Sequence, residues 1–110
     1  MSLLSFLFGG KKSEFITQLS TEEFRSQIQN KKVQLVDVRT PNEFKQGHIK
    51  KAINIDFFSG KFNVNFDNLN KNEAVYVYCR SGGRSRQTAN KLAKKGFTEI
   101  YDLKGGYLRW

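Results

Sequence analysis

Cysteine, histidine and proline each occur only once in this 110-residue chain. The lone cysteine, Cys79, leaves nothing within the chain for it to form a disulfide with, and it excludes a site built on several thiolates. The lone histidine, His48, likewise excludes a metal held by two imidazoles, so neither a metal nor any other cofactor is expected. Such sparing use of cysteine fits a reducing compartment, and a cytoplasmic location is expected. One proline and nine glycines are too few for a collagen-like or low-complexity chain. Long apolar runs are also missing. Leu3 to Phe8 is broken by Ser5 and is far shorter than the roughly 20 residues that cross a bilayer. Lys11 and Lys12 follow that run, the reverse of the order in a signal peptide. No membrane span and no export are therefore expected, and residues 1–13 are read as a flexible tail ahead of one domain over 14–110.

What is present points to a folded domain. Ten phenylalanines and a 38% hydrophobic composition supply apolar area to offset ordering entropy. Nineteen Lys and Arg against ten Asp and Glu give a net charge of +9, which favours an anionic partner without choosing among nucleic acid, an acidic surface and a small anion.

Strand and helix signals alternate. Phe15 to Leu19 reads as a strand, and Ser20 with Glu23 forms a capping box that opens a helix over Glu22 to Gln29. Val33 to Val38 has the apolar character of a strand covered on both faces. Thr40, Pro41 and Glu43 make a second capping box with proline in the first turn, so a short helix is expected to about Gln46, stopped by Gly47. The box also accounts for Glu43. Ile53 to Ile55 reads as a short strand, Phe57 to Phe66 as irregular and aromatic. In Ala74 to Tyr78, Val75 and Val77 face opposite to Tyr76 and Tyr78. A helix from near Ser85 to Gly96 presents Ala89, Leu92 and Ala93 on one side, and Thr98 to Leu103 is a last strand. The expected fold class is α/β, a mostly parallel five-stranded sheet with helices on both faces.

The chemistry is concentrated at CRSGGRS, residues 79–85, between a buried strand and a helix N-terminus, where open α/β sheets bind ligands. Gly82 and Gly83 allow left-handed backbone and inward-turned N–H groups, a nest suited to an anion or a thiolate. The helix dipole acts in the same direction, so Cys79 is expected as a nucleophile open to small donors without an imidazole partner. Arg84 and Arg86 oppose that dipole, a local penalty that a bound anion would relieve. Six basic residues and no acidic one lie between 79 and 95.

Three separated motifs then resemble the rhodanese family of single-domain sulfurtransferases: DVRTPNEFKQGHI at 37–49, the loop at 79–85, and GGYLRW at 105–110. The resemblance implies a rhodanese domain in which Cys79 takes the outer sulfur of thiosulfate or a similar anionic donor as a persulfide. The sulfur then passes to an external thiol, cyanide or a protein acceptor, because there is no second cysteine. Arg80, Ser81, Gly82, Gly83, Arg84 and Ser85 would bind the donor and the persulfide, with Arg80 and Arg84 attracting its oxyanion half. Asp37 and Arg39 would support the site through an ion pair or loop hydrogen bonds. His48 resembles the family's structural histidine. Phe57, Phe58, Phe62 and Phe66 are candidates for core packing or for an entrance or docking surface.

Three rival readings carry distinct signatures. A cysteine phosphatase or arsenate reductase of the same fold class would show C-x₅-R, whereas Ser85 stands where that arginine belongs and Arg84 makes the pattern C-x₄-R. A basic nucleic-acid or protein binding module would concentrate its charge, whereas the cations here run from Lys11 to Arg109, and no nucleic acid is expected. A regulatory rhodanese-like module usually lacks the cysteine.

Overall fold

In the computed structural model, the structure describes residues 12–110. The part of the expected tail through residue 11 lies outside the described residues. Five strands, β1 (Ile16–Leu19), β2 (Gln34–Asp37), β3 (Ile53–Asn54), β4 (Val75–Tyr78) and β5 (Ile100–Leu103), form one sheet. Their order is β1-β5-β4-β2-β3 and every pairing is parallel. β4, at the centre, is buried along its whole length, and its register aligns Val77 with Val36 on one side and Asp102 on the other.

The helices are α1 (Thr21–Ile28), α2 (Pro41–Lys45), α3 (Phe62–Asp67) and α4 (Gly83–Lys95). Both expected capping boxes are formed, Ser20 with Glu23 and Thr40 with Glu43, each satisfying two backbone donors that the first turn leaves free. The strand period of two divides the core. Val75, Val77 and Cys79 pack with Ala89, Leu92 and Ala93 of α4 and with Phe62 and Phe66 of α3. Tyr76 and Tyr78 face the other way, toward Phe24 of α1 and Leu35 of β2.

Two expectations are corrected. The aromatic stretch is not irregular throughout, since residues 62–67 are helical. A six-residue helix with no side-chain N-cap has little intrinsic stability, and burial of Phe62 and Phe66, one turn apart, holds it. In the same stretch Phe57 packs against that core, while Phe58 is 68% exposed. α4 begins at Gly83 rather than near Ser85, because Gly82 adopts a left-handed conformation (φ +119°) and its carbonyl accepts from the Arg86 amide.

Candidate active site

Cys79 follows β4 directly, and Gly82 turns the chain so that α4 starts beneath it. The Gly82 amide donates to Cys79 Sγ at 3.0 Å. Among the described residues it is the one backbone amide hydrogen-bonded to the sulfur, fewer than the converging set expected from the loop. The thiol is also not open. Cys79 is 1% exposed, because β4's alternation continues through it and directs its side chain under α4. Arg80, Ser81 and Gly83 form the exposed rim of the loop, whereas Gly82 is buried.

Ser85 is fully buried and lies 3.5 Å from Sγ through its hydroxyl. That hydroxyl donates to Asp102 Oδ1 at 2.5 Å, and Asp102 is 1% exposed. Burial raises the Asp102 carboxyl above its ordinary value, with hydrogen bonds from Ser85 and Gln18 and the charge of Arg86 acting in opposition. Sequence reasoning missed Asp102. Its signal was a carboxylate at an inward position of a buried strand.

Arg84 does not face the loop as a free cation. Its guanidinium forms two hydrogen bonds to Glu43, at 2.7 and 3.1 Å. Glu43 thereby serves both the α2 capping box and Arg84, a role the capping box alone did not reveal. Paired chiefly with Arg84, the Glu43 carboxyl is lowered to about 2. The penalty of placing Arg84 at a helix N-terminus is offset by a carboxylate of this chain, whereas the sequence pointed to a bound anion.

Asp37 and Arg39 form a buried pair. Arg39 Nη2 lies 2.7 Å from Asp37 Oδ2, and its Nε is 3.0 Å from each carboxylate oxygen. The guanidinium also donates to the Gly47 carbonyl at 2.6 Å and stacks over Tyr107 at 4.4 Å. It thus links the 37–49 segment to the C-terminal turn. His48 Nδ1 is 2.9 Å from the Phe44 carbonyl and its ring stacks on Phe44, a turn role away from Cys79.

The 105–110 segment closes the site from behind. The Tyr107 and Leu108 amides donate to the carbonyls of Cys79 and Arg80. Gly106 (φ +64°) makes that approach possible, since a Cβ there would lie 2.5 Å from the Arg80 carbonyl oxygen.

A parallel five-stranded sheet with a cysteine-bearing loop between its central strand and a helix N-terminus places the chain among open α/β domains. Within that class the chain belongs to the rhodanese-like domain family, whose model matches residues 20–110. It is 46% identical over 92 residues to the uncharacterised protein YqhL of Bacillus subtilis, covering 84% of this chain and 70% of that one. It is 32% identical over 99 residues to the thiosulfate sulfurtransferase GlpE of Shewanella oneidensis, covering 84% and 89%. The crystal structure of a rhodanese-like domain protein from Staphylococcus aureus superposes with a TM-score of 0.75 at 32% identity, over 86% of this chain and 90% of that one.

Proposed function

We propose that the protein is a sulfurtransferase that moves sulfane sulfur from a thiosulfate-like anion to an external acceptor through a persulfide on Cys79. The observation that carries this reading is the Gly82 amide at 3.0 Å from Sγ, a fixed donor aimed at the atom that bears the negative charge of the attacking thiolate. The donor reaches the buried sulfur when the rim of Arg80, Ser81 and Gly83 moves aside, and the Cys79 thiolate then attacks the outer sulfur of thiosulfate. The bond between that sulfur and the sulfonate breaks, and sulfite leaves with the electron pair. An acceptor thiolate then attacks the outer persulfide sulfur and restores the Cys79 thiolate, a double displacement. Exposed Arg80 meets the donor's oxyanion half, and Arg84 assists when it parts from Glu43. Relatives named thiosulfate sulfurtransferase and sulfur carrier support the assignment.

The test is intact mass spectrometry after incubation with thiosulfate. A gain of one sulfur atom is expected in the wild type and none in Cys79→Ser. No gain in the wild type, together with turnover of an aryl phosphate, would move the protein to the phosphatase reading.

A further inference from the structure

We infer that Asp102 is a positioning residue which, through the Ser85 hydroxyl, sets whether the Cys79 sulfur is held as a thiol or as an anion. This rests on Cys79 being the sulfur-carrying nucleophile and adds a proton control to that site.

A serine hydroxyl has one proton to donate. Here the nearest acceptor is Asp102 Oδ1 at 2.5 Å, with the Gly82 carbonyl farther away at 3.2 Å. A proton committed to Asp102 leaves Ser85 Oγ facing Sγ, 3.5 Å away, as an acceptor. That arrangement suits an S–H donor and opposes a sulfur anion, which needs donors. When Asp102 carries a proton the chain of bonds reverses: Oδ1–H donates to Ser85 Oγ, and the Ser85 hydroxyl turns to Sγ as a second donor beside the Gly82 amide.

The interconversion balances within the three side chains. The S–H bond breaks as its proton passes to Ser85 Oγ, and the original Ser85 proton passes to Asp102 Oδ1. Sγ keeps the electron pair with which it attacks the donor, nothing is oxidised or reduced, and net charge is unchanged. The groups facing Asp102 are Ser85 and Arg86 from α4 and Gln18 from β1, whose side-chain amide is 3.4 Å from Oδ2. The buried carboxyl's raised value brings its acid form nearer to neutral pH. Two acids that compete for one bridging hydroxyl titrate as a pair.

The test follows the ultraviolet absorbance of the thiolate against pH in the full chain. Cys79 is its only cysteine, and Cys79→Ala serves as the blank. Wild type, Asp102→Asn, Ser85→Ala and the double variant are compared. The wild type is expected to ionise in two coupled steps. Asp102→Asn, whose amide can donate to Ser85 at every pH, is expected to ionise in one step with the thiolate-to-thiol ratio at neutral pH raised about tenfold. In the Ser85→Ala background the same change is expected to shift the ratio less than about twofold, since the linking hydroxyl is gone. An equal shift with and without Ser85, or an unchanged profile in Asp102→Asn, overturns the inference. If circular dichroism shows Asp102→Asn unfolded, Ser85→Thr decides: it should keep two steps where Ser85→Ala has one, and identical profiles overturn the inference. No sulfur donor enters this assay, so its result is separate from the mass gain with thiosulfate.

Discussion

The backbone amide of Tyr107 donates to the carbonyl of Cys79 at 2.8 Å, so the Cys79 peptide is held by a turn 28 residues further along the chain. The next contact repeats it, from the Leu108 amide to the Arg80 carbonyl at 3.0 Å. The 79–85 loop and the C-terminal turn are therefore tied together by backbone hydrogen bonds.

Gly106→Ala is expected to separate them. The added Cβ would meet backbone atoms of Cys79 and Arg80 at 2.5–2.6 Å, at a left-handed φ. A loss of about 2 kcal/mol or more in urea denaturation is expected, with sulfur transfer falling about tenfold. Gly60→Ala, which meets nothing within 4 Å, serves as the control and should stay within about 0.5 kcal/mol of wild type.

Breaking the Asp37–Arg39 pair should be costly because its partners are buried, with side chains 0% and 6% exposed. Arg39→Met leaves Asp37 charged with no cation beside it, and Asp37→Asn leaves Arg39 in the converse position. Each is expected to lose about 3–5 kcal/mol by chemical denaturation. The double variant should lose less than the two single losses combined, since neither charge is then left alone.

Glu43 links stability to acid. Its carboxyl falls from an ordinary 4.5 to about 2 beside Arg84. Because the folded value is the lower one, the pair's contribution is fully present above 4.5 and disappears as pH falls toward 2. The pair is partly solvent-exposed, so Glu43→Gln should cost about 1 kcal/mol or less at neutral pH. Thermal midpoints of variant and wild type should converge across that acid window. At neutral pH the variant frees Arg84 for an anionic donor, and KM for thiosulfate is expected to fall with kcat little changed.

Tyr78 is fully buried and its hydroxyl oxygen accepts the Ile49 amide at 2.9 Å. Burial raises the phenol well above its usual value, so it stays neutral. Tyr78→Phe leaves the Ile49 N–H without its acceptor, and a loss of about 1–3 kcal/mol is expected in the denaturation midpoint.

Local signals made much of the architecture legible. The two S/T-x-x-E boxes declared the starts of α1 and α2 because a capping side chain needs only its own first turn. Alternation in VYVY over 75–78 assigned each side chain to one face of the sheet, because that period belongs to any strand. The helix at 62–67 was not legible. Its residues do not favour a helix strongly on their own, and the core that buries Phe62 and Phe66 comes from β4, α4 and the 55–57 segment.

The same division runs through the candidate site. Sequence by itself determined that one thiol stands at a strand end before a Gly-Gly turn and a helix, since strand, turn and helix signals are all short-range. Only the tertiary structure decided what surrounds that thiol. It seated Cys79 under α4, gave Arg84 to Glu43 across 41 positions of chain, and set Asp102 against Ser85 from the neighbouring strand. Such pairings depend on which segments the sheet order brings side by side, and ion pairs and hydrogen bonds between distant residues leave no periodicity for a linear reading to find.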